Sequence, residues 1–428
     1  MFKIVNATES RNFYGWWIVF SCFVCQGFGM GMVGIYGLFL VPLATEFDSN
    51  MSTLGLGMSI YLLCMGGTAP LVGMVMKPGR IKGLMLAGVV LASASLAMIG
   101  RADSLSFIAF FIAAYAFTAA GFGILPNNIL LVNWFDRLRG RAMAIAAIGV
   151  SVASFSLPPL TAWCITEYGW RTALGLISML MAGGLLPVIS LLVIERPIVI
   201  GQYVDGARPD QKPDQKKSLN VSATGDKKAL LPSNKVLFRD KNFWLIGILF
   251  GVFYTTAITQ AVHFIPFLIS LDLSTQQASW VISALGISGM LGKIFSGTLS
   301  DIFRHRIMSL VLCLQLIPLL AWLSLSQQQS FGVFSFFCSA LLGFAGGGMI
   351  PMHAFVNSYY FGAVAVGKVT GFHSPMLLPA GLFAAPLAGW VIDTSGSYGT
   401  VFLALAGVLG FSSIICLCVS KPKLETAP

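Results

Sequence analysis

The chain has 428 residues, of which 56% are hydrophobic and only 10% charged, with a mean hydropathy of +0.83 and a formal net charge of +10. Soluble domains carry about 25% charged residues, so this composition leaves too little polar surface for a water-soluble fold. Uninterrupted apolar segments of about 18 residues or more recur along the chain, each long enough to cross the hydrocarbon core of a bilayer, which identifies an all-α, multi-pass membrane protein.

Twelve transmembrane helices are predicted: Phe13–Val41, Ser52–Met76, Gly83–Gly100, Leu105–Val132, Ala142–Ile165, Thr172–Ile194, Asn242–Ser270, Gln276–Leu299, Ile307–Leu325, Phe331–Tyr360, Gly367–Ile392 and Thr400–Val419. The first is too long for the apolar region of a signal peptide and lacks a cleavage site, so it is read as a retained membrane helix. Between spans six and seven lies Glu195–Lys241, with Pro209, Pro213, Pro232 and the run KPDQKKSLNVSATGDKK. It has too few aromatic residues to bury a core of its own. It reads as a linker (195–241) between an N-terminal six-helix bundle (1–194) and a C-terminal one (242–428).

Apart from Arg101, Arg171 and Lys293, the 26 Lys and Arg residues fall at the termini and in the even-numbered loops. Basic loops stay on the cytoplasmic side, which places both termini in the cytoplasm of a cell-membrane protein. The net charge is thus a topology signal, and no nucleic-acid partner is expected.

The halves repeat. Pro42 and Asp48 recur as Pro266 and Asp272, and Gly73 recurs as Gly297. Gly121-x-Gly123-x-x-Pro126 recurs as Gly346-x-Gly348-x-x-Pro351, and Pro159-Leu160-x-x-Trp163-x-Ile165 as Pro386-Leu387-x-x-Trp390-x-Ile392. These recurrences keep one order and nearly one offset, the signature of two pseudo-symmetric six-helix repeats.

Few polar side chains lie within the spans, and no Asp or Glu. Apart from Lys368 at the very edge of span eleven, Lys293 stands alone as a charge in an apolar segment, where an unrelieved charge costs roughly 2.5–3.5 kcal/mol. At about 1.5 Å per residue, Lys293 and His373 lie about 10 Å from the cytoplasmic ends of their spans and His353 about 12 Å. If spans eight, ten and eleven face one cavity, these three groups form an anion site with a titratable component. His263, Tyr36, Tyr61 and Gln260 complete the candidate substrate-binding set. Structural readings stand beside these: Lys293 snorkelling to the headgroups, His263 at a helix interface, His353 and His373 as packing or backbone-bonded residues, and Asn127 and Asn128 as interhelical hydrogen bonders. Pro375, Pro379 and Pro386 each remove a hydrogen bond from span eleven and should kink or loosen it. The eight cysteines fall in or at the ends of apolar segments and read as small buried hydrophobes.

Across essentially its full length the sequence resembles the major facilitator superfamily. The loop signature G-x-x-x-D-x-x-x-R is matched by Gly297, Asp301, Arg304 and Arg306 after span eight, where the family latches helices in one transport state. Its N-half counterpart runs from Gly73 to Arg80, with Lys77 where the family usually has the acid. Within the superfamily it is similar to the monocarboxylate transporter and oxalate/formate antiporter branch. The matching residues are Tyr14-Gly15-Trp16-Trp17, Asn133-Trp134-Phe135-x-Arg137-x-Arg139-Gly140, Tyr168-Gly169-Trp170-Arg171 and Gly396-Ser397-Tyr398. The resemblance implies a substrate-facing arginine at the position of Lys293. Lysine keeps the charge and loses the planar fork. The aspartate that the animal carriers place one turn earlier is Gly289 here, and neither span one nor span eleven offers the lysine those branches carry there.

The expected protein is a monomeric secondary active transporter that works by alternating access in contact with membrane lipid. Its expected substrate is a small organic anion, a mono- or dicarboxylate, moved by proton symport or anion exchange. An exporter of amphipathic or drug-like compounds and a non-transporting sensor signalling through 195–241 are the alternatives. No P-loop, nucleophile–base pair or metal-ligand cluster is recognisable, so no enzyme activity, cofactor or metal is expected.

Overall fold

The computed structural model describes residues 13–76, 79–206, 233–303, 333–362, 365–417 and 419. Span nine, Lys77, Arg304, Arg306 and the middle of the linker lie outside the described residues.

The helices are α1 (Gly15–Phe47), α2 (Met51–Val75), α3 (Ile81–Ile99), α4 (Leu105–Ala119), α5 (Ile124–Trp134), α6 (Arg139–Leu192), α7 (Asn234–Arg239), α8 (Lys241–Ser270), α9 (Thr275–Phe303), α10 (Val333–Phe361), α11 (Val366–Ser395) and α12 (Tyr398–Leu417). A hydrocarbon environment offers no partner for backbone N–H and C=O groups, which is why apolar segments of this length close all of theirs within helices. The first bundle packs α1 and α3 on α6, and α3 and α2 on α4; the second packs α9 on α10 and α8 on α11 and α12. The halves meet along α2–α11, α6–α9 and α1–α8.

The sequence repeat is also a backbone repeat. Asp48 and Asp272, in corresponding positions, both adopt left-handed backbone where α1 and α8 end (φ 44° and 63°). Asn50 then caps α2 by accepting from Thr53 N at 2.9 Å, and Ser274 caps α9 by accepting from Gln277 N at 3.2 Å. Gly169 and Gly396, likewise related, take φ 78° and 67°, values that cost a side chain dearly. Gly169 is where one long stretch of helix, α6, turns back as spans five and six.

Three local expectations change. Span four is broken: α4 ends at Ala119 and α5 starts at Ile124. Asn127 bonds within this break, donating through Nδ2 to Phe122 O (2.9 Å) and Gly123 O (2.7 Å), so it does not bridge helices through its side-chain amide. The related Gly346-x-Gly348 stretch stays helical within α10. Met352 stands where Asn127 would be, and a thioether donates nothing to freed carbonyls.

The start of the linker is folded rather than bare. Residues Pro197–Ile200 and Val204–Gly206 form two 3-10 turns docked on the first bundle. The Glu195 carboxylate accepts from Gly79 N (2.5 Å) and Lys82 N (3.0 Å) at the start of α3. The Asp205 carboxylate accepts from Asp136 N (3.1 Å) and Arg137 N (2.8 Å) ahead of α6. These carboxylates satisfy backbone N–H groups at and just ahead of the helix starts, in place of a hydrophobic core.

Finally, α11 runs unbroken through Pro375, Pro379 and Pro386. Among the described cysteines, Cys22, Cys25, Cys164, Cys338 and Cys416 are buried and Cys64 is partly buried.

Candidate functional site

A proline inside a helix leaves the carbonyl four residues earlier without its N–H partner. Pro159 frees Phe155 O in α6, and the related Pro386 frees Leu382 O in α11. Ser283 on α9 donates its hydroxyl to Phe155 O at 2.8 Å. Ser59 on α2, at the corresponding position of the other half, donates to Leu382 O. Each half thus fills the other's proline-made vacancy. This symmetric pair joins the bundles towards the end that carries the α1–α2 connection.

Further bonds extend that seal. The Asp393 carboxylate at the end of α11 accepts from Met51 N and Ser52 N, both 2.9 Å, at the positive end of α2. Ser52 Oγ donates to Pro386 O (3.2 Å) and Gln276 Nε2 to Pro159 O (3.4 Å). Gly37 lies so close to α8 that a Cβ there would sit 2.8 Å from Val262 O. These hydrogen bonds between the halves lie between this end and Lys293.

Lys293 ends the series. Its Nζ donates to Ser151 Oγ across the α6–α9 seam at 2.8 Å. Lys293 lies ten residues past Ser283, roughly 15 Å of helix, whereas Ser151 lies only four residues from Phe155, roughly 6 Å. The lysine side chain is therefore turned back into the seam towards the sealed end, and the ammonium is partly buried between halves.

On the opposite side of the seal, towards the end bearing Tyr14, a cleft of about 370 Å³ opens between the bundles. Leu62, Met65 and Gly66 of α2, Leu125 and Asn128 of α5, Tyr254 of α8 and Leu378 of α11 line it. Its walls are mostly apolar, with the Asn128 amide and the Tyr254 phenol as polar features.

The structure brings two of the sequence-predicted histidines together. His353 Nε2 and His373 Nδ1 are 3.1 Å apart, their rings stacked at 5.4 Å. His373 Nε2 faces Phe243 O at 3.1 Å and must carry the proton there, so His373 Nδ1 accepts and His353 Nε2 donates. This chain is anchored at the first turn of α8, inside the second bundle. Lys293 bonds instead to Ser151 of the first bundle.

His263 is fully buried on α8, with Nε2 bonded to Ala385 O at 2.8 Å and Nδ1 without a partner among the described residues. Gln260 Nε2 is also buried without a partner among the described residues. Tyr36 donates to Leu54 O at 2.7 Å, within the first bundle. Tyr61 stacks on Tyr115 at 6.2 Å, and both hydroxyls are buried without partners. Gly73 lies in α2 and Arg80 is exposed at the start of α3; Gly297 and Asp301 lie on α9. The residues that sequence reading passed over are the serines of the seam, Ser59, Ser151 and Ser283, and Asp393. Their only signal was position: Ser59 and Ser283 recur at the offset of the repeat, and Asp393 stands one residue beyond the predicted end of span eleven.

A family model described as Major Facilitator Superfamily matches residues 19–274 and 262–428. The chain is 25% identical over 435 residues to monocarboxylate transporter 12 of Rattus norvegicus, covering 96% of this chain and 87% of that one. It is 25% identical over 427 residues to monocarboxylate transporter 4 of Rattus norvegicus, covering 96% and 85%. Among solved structures it is similar to a bacterial homologue of the human lysosomal transporter Spinster in an inward-facing, occupied conformation. The TM-score is 0.71, at 14% identity over 97% of this chain and 99% of that one.

Proposed function

This chain belongs to the major facilitator superfamily and is a multi-pass membrane transporter, and from that premise we propose that it carries a small organic anion, a mono- or dicarboxylate, by alternating access. One observation carries the reading: Lys293, a cation inside the bilayer span, is held at the seam between the halves by Ser151. An arriving carboxylate offers the ammonium an ion-paired hydrogen bond between two opposite charges, stronger than the charge–dipole bond to the serine hydroxyl. Taking it releases a bond that spans the halves, so binding and rocking share one atom, Lys293 Nζ. The structure is then the state sealed at the α1–α2 end, and the cleft lined by Asn128 and Tyr254 is the path towards the end bearing both termini. With basic residues concentrated there, that end is the cytoplasmic one. The His353–His373 pair is the group that exchanges a proton if transport is proton-coupled.

The experiment is uptake by purified protein in liposomes, using a panel of radiolabelled mono- and dicarboxylates and the variants Lys293→Ala and Lys293→Arg. Accumulation of one acid, reduced roughly 10- to 100-fold in kcat/KM by Lys293→Ala, is expected from loss of a hydrogen bond to a charged group worth about 1.5–3 kcal/mol. Lys293→Arg should retain part of the activity. An imposed pH gradient then separates symport from exchange. The apolar lining of the cleft favours a second reading, export of amphipathic compounds. Under that reading Lys293→Ala leaves transport unchanged.

A further inference from the structure

A short helix, α7, precedes the first span of the second bundle. Ser233 caps it by accepting from Val236 N at 3.3 Å. Leu237 fixes its inner side, buried in one cluster with Phe243, Ala365 and Val369. The Phe238 ring lies 5.0 Å from Phe372, and Trp244 Nε1 donates to Phe238 O at 2.9 Å. α7 is therefore held against the first turn of α8 and the start of α11. Its outer surface combines two chemistries. Val236, Phe238 and Trp244 are 61%, 42% and 45% exposed, and Lys235, Arg239 and Lys241 are exposed as well. At about 100° per residue, Lys235 and Arg239 fall within about 40° of each other, on the side of the helix away from Leu237. Among the described residues no carboxylate forms an ion pair with any of these three cations. The nearest acid in the sequence, Asp240, is engaged in capping α8, accepting from Asn242 N at 2.8 Å.

Depth decides what this surface meets. Trp244 stands in the first turn of a membrane span, the level at which exposed tryptophans mark the border between hydrocarbon and water. Phe238, with its ring 6.2 Å from that of Trp244, lies at the same level, so the exposed aromatic pair faces the bilayer interface. Lysine and arginine stems beside it carry their charges into the headgroup layer. We propose that α7 and the first turn of α8 form a binding surface for an anionic phospholipid, with Phe238 and Trp244 against its acyl chains and Lys235, Arg239 and Lys241 on its headgroup. A zwitterionic headgroup brings its own ammonium to the phosphate, whereas an anionic one leaves net charge for the three cations to neutralise. An acidic soluble protein would reach the cations but not the aromatic pair beside the acyl chains.

The test compares two photoreactive lipids that differ only in the headgroup. Full-length protein in phosphatidylcholine nanodiscs receives a trace of phosphatidylglycerol or of phosphatidylcholine, each with a diazirine near the start of one acyl chain. After irradiation, the modified residues are mapped by mass spectrometry. The phosphatidylglycerol probe should label Phe238, Trp244 or their chain neighbours about 3- to 10-fold more than the phosphatidylcholine probe does. A Lys235→Gln, Arg239→Gln double variant should bring the two probes close to equality, and Lys241→Gln should lower the preference if the double variant fails to fold. In the unaltered protein, raising the salt to about 1 M, which shortens the screening length to about 3 Å, should also lower it. Equal labelling by the two probes, no labelling near Phe238 and Trp244, or a preference that persists in the variants overturns the proposal.

Discussion

At the scale of single residues, polar groups here are defined by what they face across another helix. Lys293 was conspicuous in the sequence because a charge in an apolar run carries its own alarm. Ser151 was not, because a serine in a helix ordinarily donates to its own backbone, as Ser154 does to Val150 O at 2.9 Å. The histidines show the same limit. His353 and His373 stand twenty residues apart on different helices, and only the fold makes them a hydrogen-bonded pair whose tautomers are fixed by Phe243 O. Replacing His373 by Phe removes the middle of that chain and strands a buried carbonyl and a donor. The expected cost is about 1–3 kcal/mol, seen as a fall of a few degrees in the unfolding temperature of purified protein. The smaller change expected for His353→Phe, at the end of the chain, provides the internal comparison.

At the scale of elements, the prolines of α6 and α11 have a different part from the one their helix-breaking reputation suggests. α11 carries three prolines without interruption, and Leu382 O and Phe155 O, freed by Pro386 and Pro159, become docking points for Ser59 and Ser283. A hydroxyl-to-carbonyl bond of this kind contributes about 0.5–1.5 kcal/mol. Ser59→Ala with Ser283→Ala should therefore shift the balance away from the sealed state roughly tenfold, since 1.4 kcal/mol corresponds to a factor of ten. Spin labels on the exposed Asp103 and Ser397, one in each half at the sealed end, would read this as a growing population at longer separation. Pro386→Ala should push the same way, because its restored N–H competes with Ser59 for Leu382 O. An unaltered distance distribution in the double serine variant would remove the seal from the account.

At the scale of the whole molecule, two bundles face each other with a seal at one end and a cleft at the other, the geometry that alternating access requires. The seal depends on backbone contact as well as on hydrogen bonds. A Cβ on Gly389 would lie 2.5 Å from the backbone of Met51 and Ser52. Gly389→Val should hold the sealed end apart and stop turnover while leaving each bundle folded. Liposome uptake should fall to background, the Asp103–Ser397 separation should lengthen, and the unfolding temperature should change little. A variant that transports normally would show that this end need not close as it does here.

The sequence by itself determined the membrane class, the approximate positions of the described spans and the two-fold repeat. These are local properties: an apolar run, a capping side chain or a backbone angle is satisfied within a few residues, so its free energy is readable from a few residues. Only the tertiary structure decided that Asn127 heals a break in its own helix, that Glu195 and Asp205 fold the start of the linker onto helix ends, and that Lys293 meets Ser151. Each of these depends on which of many equivalent polar groups finds a partner on a neighbouring element. Packing makes that choice, and the residues alone leave it open.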